Sequence, residues 1–243
     1  STEDELTGAV DAALSSAIQK LPENYKEPNN TVFGVSSSWV KGGEIAEEYL
    51  GKIKKLCSEL SLTPVGFVVL PEAIAHLCKS EEGSPLNAII LGLGSGKIEI
   101  SIFKLGNLIG TTNVSRSVSL SEDVTEGLCR FEGANPLPSR FIVYDGKEGE
   151  LEEAKENLLQ TSWDGIEKIK FLHTPKAEVL SSERKVLATC LAGAAEIGNV
   201  SQVDSKEPEY LEKKEEKIEA APAPDVSAEN LGFAIGQDIT AGS

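Results

Sequence analysis

The chain has 243 residues, of which 40 % are apolar, enough to bury the core of one large domain or two smaller ones. Its net charge of −16 opposes binding to nucleic acid or to an anionic membrane surface. No stretch approaches the roughly 18 consecutive apolar residues of a membrane span, and the N-terminal STEDEL has neither the basic nor the apolar region of a signal peptide. We therefore expect a globular, cytoplasmic protein without a transmembrane segment.

Cysteine and histidine are too sparse to suggest a metal site. The four cysteines are scattered without a CxxC pair and there are only two histidines, so buried free thiols in a reducing compartment are predicted. The chain also contains no Met, which predicts a piece of a longer protein.

The first part of the chain alternates helices and strands. Periodicity and turn residues predict a helix over 4–20, a strand over 31–37, a helix over 44–60, a strand over 65–70 and a helix that opens at Pro71. The order of this part is αβαβα.

The second part opens with three consecutive strands instead. The predicted elements are strands over 87–94, 97–105 and 107–118, a helix over about 121–131 with Ser121 as N-cap, a strand over 140–146, a helix over 149–160, a strand over 168–173 and a helix over 183–198. The order of this part is βββαβαβα.

This second order is that of the ribonuclease-H-like unit, two of which form the actin-like nucleotide-binding architecture. The first part is the same unit without its opening three strands. We therefore predict an α/β fold with a truncated first actin-like subdomain over 1–85, a second subdomain over 86–200, and an acidic, disordered tail over 201–243.

A glycine-rich segment, Leu91-Gly-Leu-Gly-Ser-Gly-Lys97, is the most conspicuous candidate site. A Walker A loop would need Gly at 91 and Ser or Thr at 98, and neither is present. A dinucleotide fingerprint would open a helix, whereas an alternating strand follows here. Two alternatives remain, namely a glycine turn whose amides face an anion and a plain hairpin turn.

The segment IILGLGSGKIEISIFKLGNLI resembles the second phosphate-binding hairpin of actin-like ATPases, in particular the bacterial cell-division protein FtsA and the pilus-assembly protein PilM. The resemblance implies that Gly94 and Gly96 are the turn glycines, that Ser95 and Lys97 present backbone amides to the phosphates, and that Glu99 is the later acid of the motif. Gly92 stands where the family has its metal-associated Asp, and this departure argues against hydrolysis.

Other segments resemble the same family in the same order, so the resemblance covers about residues 6–198. VLPEAIAHL and LATCLAGAAEIG are similar to the two crossing helices, and FIVYDGKEGELEEAKENLL is similar to the adenosine-binding strand and turn, with Asp145-Gly146 in place of Gly-Gly. The first phosphate hairpin of the family has no counterpart here.

These features predict an actin-like scaffold or assembly protein of FtsA/PilM type, with weak or lost binding of ATP and Mg²⁺. The alternatives are an active ATPase or sugar-kinase-like phosphotransferase, and an inert domain that displays its tail. We expect protein partners or self-association at the exposed edge of the short first sheet, and recruitment to a membrane-bound assembly.

The C-terminal segment changes character. From Gln202 onward there are ten acidic and four basic residues, which predicts a solvated tail. Within it, LGFAIGQDI over 231–239 is apolar. This peptide is either a docking segment that binds a partner or the body, or the start of a following region.

Overall fold

The computed structural model describes residues 3–22, 29–131, 133–147 and 149–203, with side chains described from residue 4 to residue 196. The helices are α1 (Glu3–Ile18), α2 (Glu47–Glu59), α3 (Leu70–Glu82), α4 (Leu120–Leu128), α5 (Glu150–Gln160) and α6 (Ser182–Val203). The strands are β1 (Asn30–Val35), β2 (Val40–Lys41), β3 (Glu44–Ile45), β4 (Thr63–Val69), β5 (Ala88–Leu93), β6 (Lys97–Lys104), β7 (Asn107–Ser115), β8 (Arg140–Tyr144) and β9 (Lys176–Val179).

The larger sheet has five strands in the order β7-β6-β5-β8-β9. The first three form an antiparallel meander, and β8 and β9 add in parallel to β5. All six residues of β5 are buried because this central strand has helices on both faces of the sheet. This order and connectivity are those of the ribonuclease-H-like unit.

The smaller sheet pairs β1 with β4 in parallel. One face packs on α2, the other on α3 and α6, and α3 and α6 in turn pack on the five-stranded sheet. Helices α4 and α5 cover the far face of the larger sheet. The layers therefore alternate between helices and sheets, and the predicted α/β actin-like fold class is confirmed.

Glycines allow α6 to approach the small sheet closely. A Cβ at Gly193 would lie 2.9 Å from Val32 Cγ1, and one at Gly34 would lie 2.6 Å from Thr189 Oγ1. Contacts this short are not tolerated in a packed interior, so α6 lies against β1 only because these positions lack side chains. The close packing fixes the position of Lys185 on α6, which contributes to the candidate site.

The predicted strand over 168–173 is wrong. This segment makes a single isolated bridge between Leu137 and Phe171, and the last strand is β9 at Lys176–Val179. The ladder does not extend because the backbone N–H groups on this segment are used elsewhere: that of Ile169 donates to the Ile166 carbonyl in a turn at 3.0 Å, and that of Lys170 donates to Asn135 Oδ1 at 3.1 Å.

Two smaller expectations also differ. Helix α4 begins at Leu120, because the Ser119 side chain, not that of Ser121, accepts the cap hydrogen bond from the Glu122 backbone N–H. The predicted helix over 44–60 starts too early, because Glu44 and Ile45 pair with β2 as strand β3 and α2 begins at Glu47.

The predicted tail properties over 204–243 and the apolar peptide over 231–239 lie outside the described residues. The division of the chain near residues 85 and 200 stays a prediction. None of the helices in the described ranges combines the length and apolar character needed to cross a bilayer.

Candidate functional site

The glycine turn lies between β5 and β6, as the sequence predicts. Gly94, Ser95, Gly96 and Lys97 are all exposed. Neither Gly94 nor Gly96 has a left-handed backbone. Gly94 is required for another reason: a Cβ there would lie 2.9 Å from the Lys97 carbonyl oxygen. At Gly96 an added Cβ would meet nothing within 4 Å.

The position of the missing aspartate is occupied by a neighbouring tyrosine ring. Gly92 is paired across the sheet with Tyr144 on one side and Glu99 on the other, so all three side-chain positions share one face. A Cβ at Gly92 would lie 2.8 Å from the Tyr144 hydroxyl oxygen. Tyr144 itself is 2 % exposed, so there is no room for a carboxylate at position 92.

Glu99, the predicted later acid, is held by donors from both sheets. Its carboxylate accepts hydrogen bonds from the Ser36 hydroxyl at 2.5 Å, the Ser37 hydroxyl at 3.3 Å, the Ser38 backbone N–H at 3.3 Å and the Tyr144 hydroxyl at 3.4 Å. The side chain is 5 % exposed. Buried carboxylates need such partners, and here they come from the loop after β1 and from the end of β8.

The Tyr144 hydroxyl is held in its protonated form at this position. Burial raises the pKa of Tyr144 well above its ordinary value, and the negative charge of Glu99 raises it further. Tyr144 therefore donates to Glu99 across the whole neutral pH range.

Arg116 links the glycine turn to the start of α5. Arg116 follows β7, donates to the Gly94 carbonyl oxygen at 3.0 Å and forms an ion pair with Glu150 at the start of α5. Glu150 also accepts the Lys147 backbone N–H at 2.7 Å. The hydrogen bond from Arg116, and then that from Lys147, lower the pKa of Glu150 below its usual range. The turn is thereby tied to the loop between β8 and α5.

The predicted adenosine turn, Asp145-Gly146, lies in this same loop. Asp145 has φ of 65° and forms an ion pair with Lys185 of α6. A Cβ at Gly146 would lie 2.8 Å from Leu151 Cδ2, so glycine allows α5 to pack against the end of β8. The carboxylate of Asp145 is thus neutralised by the chain itself.

A cleft of about 500 Å³ lies where the two sheets meet. It is lined by Gly34 and Ser36 at the end of β1, by Asp145, and by Lys185 and Thr189 of α6. Clefts at the carboxyl ends of strands are common ligand sites in α/β folds. The glycine turn itself does not line this cleft.

Sequence reasoning missed Tyr144, Arg116, Lys185 and the run Ser36-Ser37-Ser38. The serine run had a usable signal, since it directly follows an apolar strand and polar residues there lie at the carboxyl edge of a sheet. The other three carry no local pattern.

The residues present do not fit a Mg²⁺–nucleotide complex in the way the family resemblance implies. Mg²⁺ bound to phosphates also takes carboxylate ligands, directly or through water. Position 92 has no carboxylate and no room for one, and Glu99 is buried among four donors.

The comparison with known proteins shows a likeness in fold and nothing finer. No protein family model matches the chain, and no curated protein matches it either. Among solved structures, an inorganic polyphosphate/ATP-glucomannokinase from Arthrobacter sp. strain KM is 15 % identical with a TM-score of 0.47, covering 80 % of this chain and 84 % of that one.

Two further structures are similar at the same level. The ethanolamine utilization protein EutJ from Carboxydothermus hydrogenoformans is 13 % identical with a TM-score of 0.42, covering 75 % of this chain and 71 % of that one. The Aquifex aeolicus PPX-GPPA enzyme is 14 % identical with a TM-score of 0.33, covering 67 % and 57 %. Likenesses this distant support no statement about activity, and the fold assignment rests on the sheet topology.

Proposed function

We propose that the chain is a cytoplasmic actin-like scaffold or assembly protein of FtsA/PilM type, in which binding of ATP and Mg²⁺ is weak or lost. It acts through protein partners or self-association, and is recruited to a membrane-bound assembly. Catalysis is not part of the proposal.

The observation that carries this proposal is the hydrogen bonding of Glu99. An acid that serves a metal or phosphate site must present its carboxylate to the ligand. Here the carboxylate is buried and accepts from Ser36, Ser37, Ser38 and Tyr144, three of which belong to the loop after β1. Glu99 therefore connects the two sheets instead of facing a ligand.

The surroundings of the turn support the same conclusion. The Gly94 backbone N–H donates to the Gly92 carbonyl at 3.2 Å, so one of the amides that could face a phosphate is already used. Before β5, the antiparallel pairing in the described residues is confined to β2 and β3, which have two residues each. A second phosphate hairpin opposite the glycine turn is thus not found in the described part of the chain.

The partner surface we propose is the outer edge of β1. Within the described residues β1 pairs with β4 alone, and its other edge has no strand beside it. Unpaired strand edges present N–H and C=O groups that pair with an added strand. Val32, Gly34 and Ser36 of this strand region also line the cleft, so an added strand has a pocket next to it.

Titration calorimetry with Mg-ATP tests the loss of nucleotide binding. We expect no measurable heat of binding up to about 1 mM nucleotide. A dissociation constant in the low micromolar range would contradict the proposal and favour an active ATPase or phosphotransferase.

Sedimentation velocity over a range of protein concentrations tests whether the chain self-associates through the outer edge of β1. We expect concentration-dependent association that Thr31→Lys weakens, because a charged side chain on an edge strand opposes strand addition. Ser80→Lys, at the exposed C-terminal end of α3, is the control and should associate like the wild type. A strict monomer at every concentration would argue against self-association at this edge.

A further inference from the structure

A second groove lies at the opposite end of the five-stranded sheet, far from the glycine turn along β5 and β6. We call it the Leu105 groove, with a volume of about 680 Å³. Its walls are mainly apolar and include Leu105, Pro136, Pro138 and Leu172. Leu105 is 72 % exposed and Leu172 is 63 % exposed. Paired exposed leucines beside prolines form the kind of apolar patch that marks an interaction site.

The turn that carries Leu105 is fixed by hydrogen bonds. The Leu105 backbone N–H donates to Asn87 Oδ1 at 2.8 Å, and the Gly106 N–H donates to the Leu86 carbonyl at 2.8 Å. Leu105 has φ of 51°, a left-handed conformation that costs a leucine roughly 1 kcal/mol. A rigid, strained turn therefore presents an apolar side chain to solvent.

The rim of the groove is cationic, although the chain as a whole is strongly acidic. Arg140 is compensated by Glu82 and Glu178. The uncompensated charge comes from Lys104, whose ammonium donates to a backbone carbonyl, and from Lys176, which forms no ion pair with a described residue. Apolar walls with a basic rim favour an apolar peptide flanked by acids.

We propose that the Leu105 groove binds residues 229–239 of the same chain. This segment, ENLGFAIGQDI, has an acid near each end and large apolar residues at 231, 233, 235 and 239. Residues 218–243 contain four acidic and no basic residues. The segment therefore complements the groove in both charge and apolar character.

The chain between α6 and the proposed docking segment is long enough to reach the Leu105 groove. Residues 204–230 span up to about 90 Å when extended, at roughly 3.3 Å per residue. A folded body of about 200 residues is only about 40 Å across. Binding within one molecule is therefore sterically possible wherever α6 ends on the surface.

Hydrogen exchange of the intact chain, followed by mass spectrometry, tests the proposal. We expect amides over 231–239 to exchange about tenfold more slowly than those over 218–228. Leu105→Ser and Lys176→Glu should each remove this protection, as should Phe233→Ser in the segment itself. Leu159→Ser and Lys41→Glu are matched controls on exposed positions elsewhere and should leave the protection unchanged.

Three results would overturn the proposal. The first is uniform fast exchange over 218–243 in the wild type. The second is protection that survives both groove variants, which would place the segment on another surface. The third is protection that disappears on hundredfold dilution, which would assign the groove to a second copy of the chain. Thermal unfolding of each variant separates loss of docking from loss of the fold.

Discussion

The two ends of the five-stranded sheet differ in how their polar and apolar groups are used. At the glycine-turn end, Glu99, Asp145 and the Gly94 carbonyl all have partners within the chain. At the other end, Leu105 and Leu172 are exposed and Lys176 has no described ion-pair partner.

The difference shows that a sequence motif and an exposed apolar surface can lie apart on one sheet. The glycine-turn end has a sequence that resembles a phosphate-binding hairpin, but its groups stabilise the fold. The groove end has no recognisable motif, but its groups are available to a ligand. Four substitutions test this contrast, two at the first end and two at the second.

Gly92→Asp should have the largest effect. The new side chain would collide with Tyr144 and bury a second carboxylate beside Glu99, so we expect a loss of at least about 3 kcal/mol in the free energy of unfolding. Gly96→Asp is the control, since its added Cβ meets nothing within 4 Å and should cost under about 0.5 kcal/mol. Urea denaturation measures both, and equal stability for the two variants would contradict the close contact.

Glu99→Gln should come next, at about 1 to 3 kcal/mol. The substitution removes the charge that strengthens four hydrogen bonds and leaves donors of the Ser36–Ser38 loop poorly paired. Glu44→Gln, on an exposed position of β3, is the control. If urea denaturation found no difference between these variants, Glu99 would not be the connection between the sheets.

Arg140→Gln tests the ion-paired arginine at the rim of the groove and should cost about 1 kcal/mol at pH 7. Arg140 donates two hydrogen bonds to Glu82 and thereby lowers the pKa of that carboxyl. Because the folded-state pKa is lower than the unfolded one, this stabilisation is present above the ordinary pKa of Glu82 and is lost as the pH falls through the folded value. The difference between wild type and variant should therefore shrink as the pH falls below the ordinary pKa of Glu82, and a pH-independent difference would contradict the ion pair.

Leu172→Ser should have the smallest effect, within about 0.5 kcal/mol, because the side chain is mostly exposed. Ile169→Ser, three residues earlier and 3 % exposed, should cost about 2 to 4 kcal/mol. Chemical denaturation of the pair measures how much of this apolar end contributes to the fold. A large loss for Leu172→Ser would mean that its surface is not available to a ligand.

The fold was predictable because its signals are local. Strand alternation, the glycine turn and the αβ order can all be read over short windows, and they place Glu99 on β6 correctly. The hydrogen-bonding role of Glu99 was not predictable. Its partners Ser36 and Tyr144 lie 63 and 45 residues away in the sequence and contact it only when the sheets pack.

The prediction of a strand over 168–173 was wrong for a related reason. The segment has the composition of a strand, but its N–H groups at Ile169 and Lys170 donate to a turn carbonyl and to the Asn135 side chain, and only one bridge to Leu137 forms. The composition of a segment does not indicate which neighbouring segment it will pair with.

Hydrogen exchange with and without about 5 mM Mg-ATP tests whether the glycine-turn end is closed to nucleotide. We expect unchanged exchange over residues 36–39 and 92–99, since no phosphate replaces the hydrogen bonds to Glu99. Slower exchange over 94–97 together with faster exchange over 36–39 would mean that nucleotide enters and displaces the serine loop, so that this end is open to nucleotide after all.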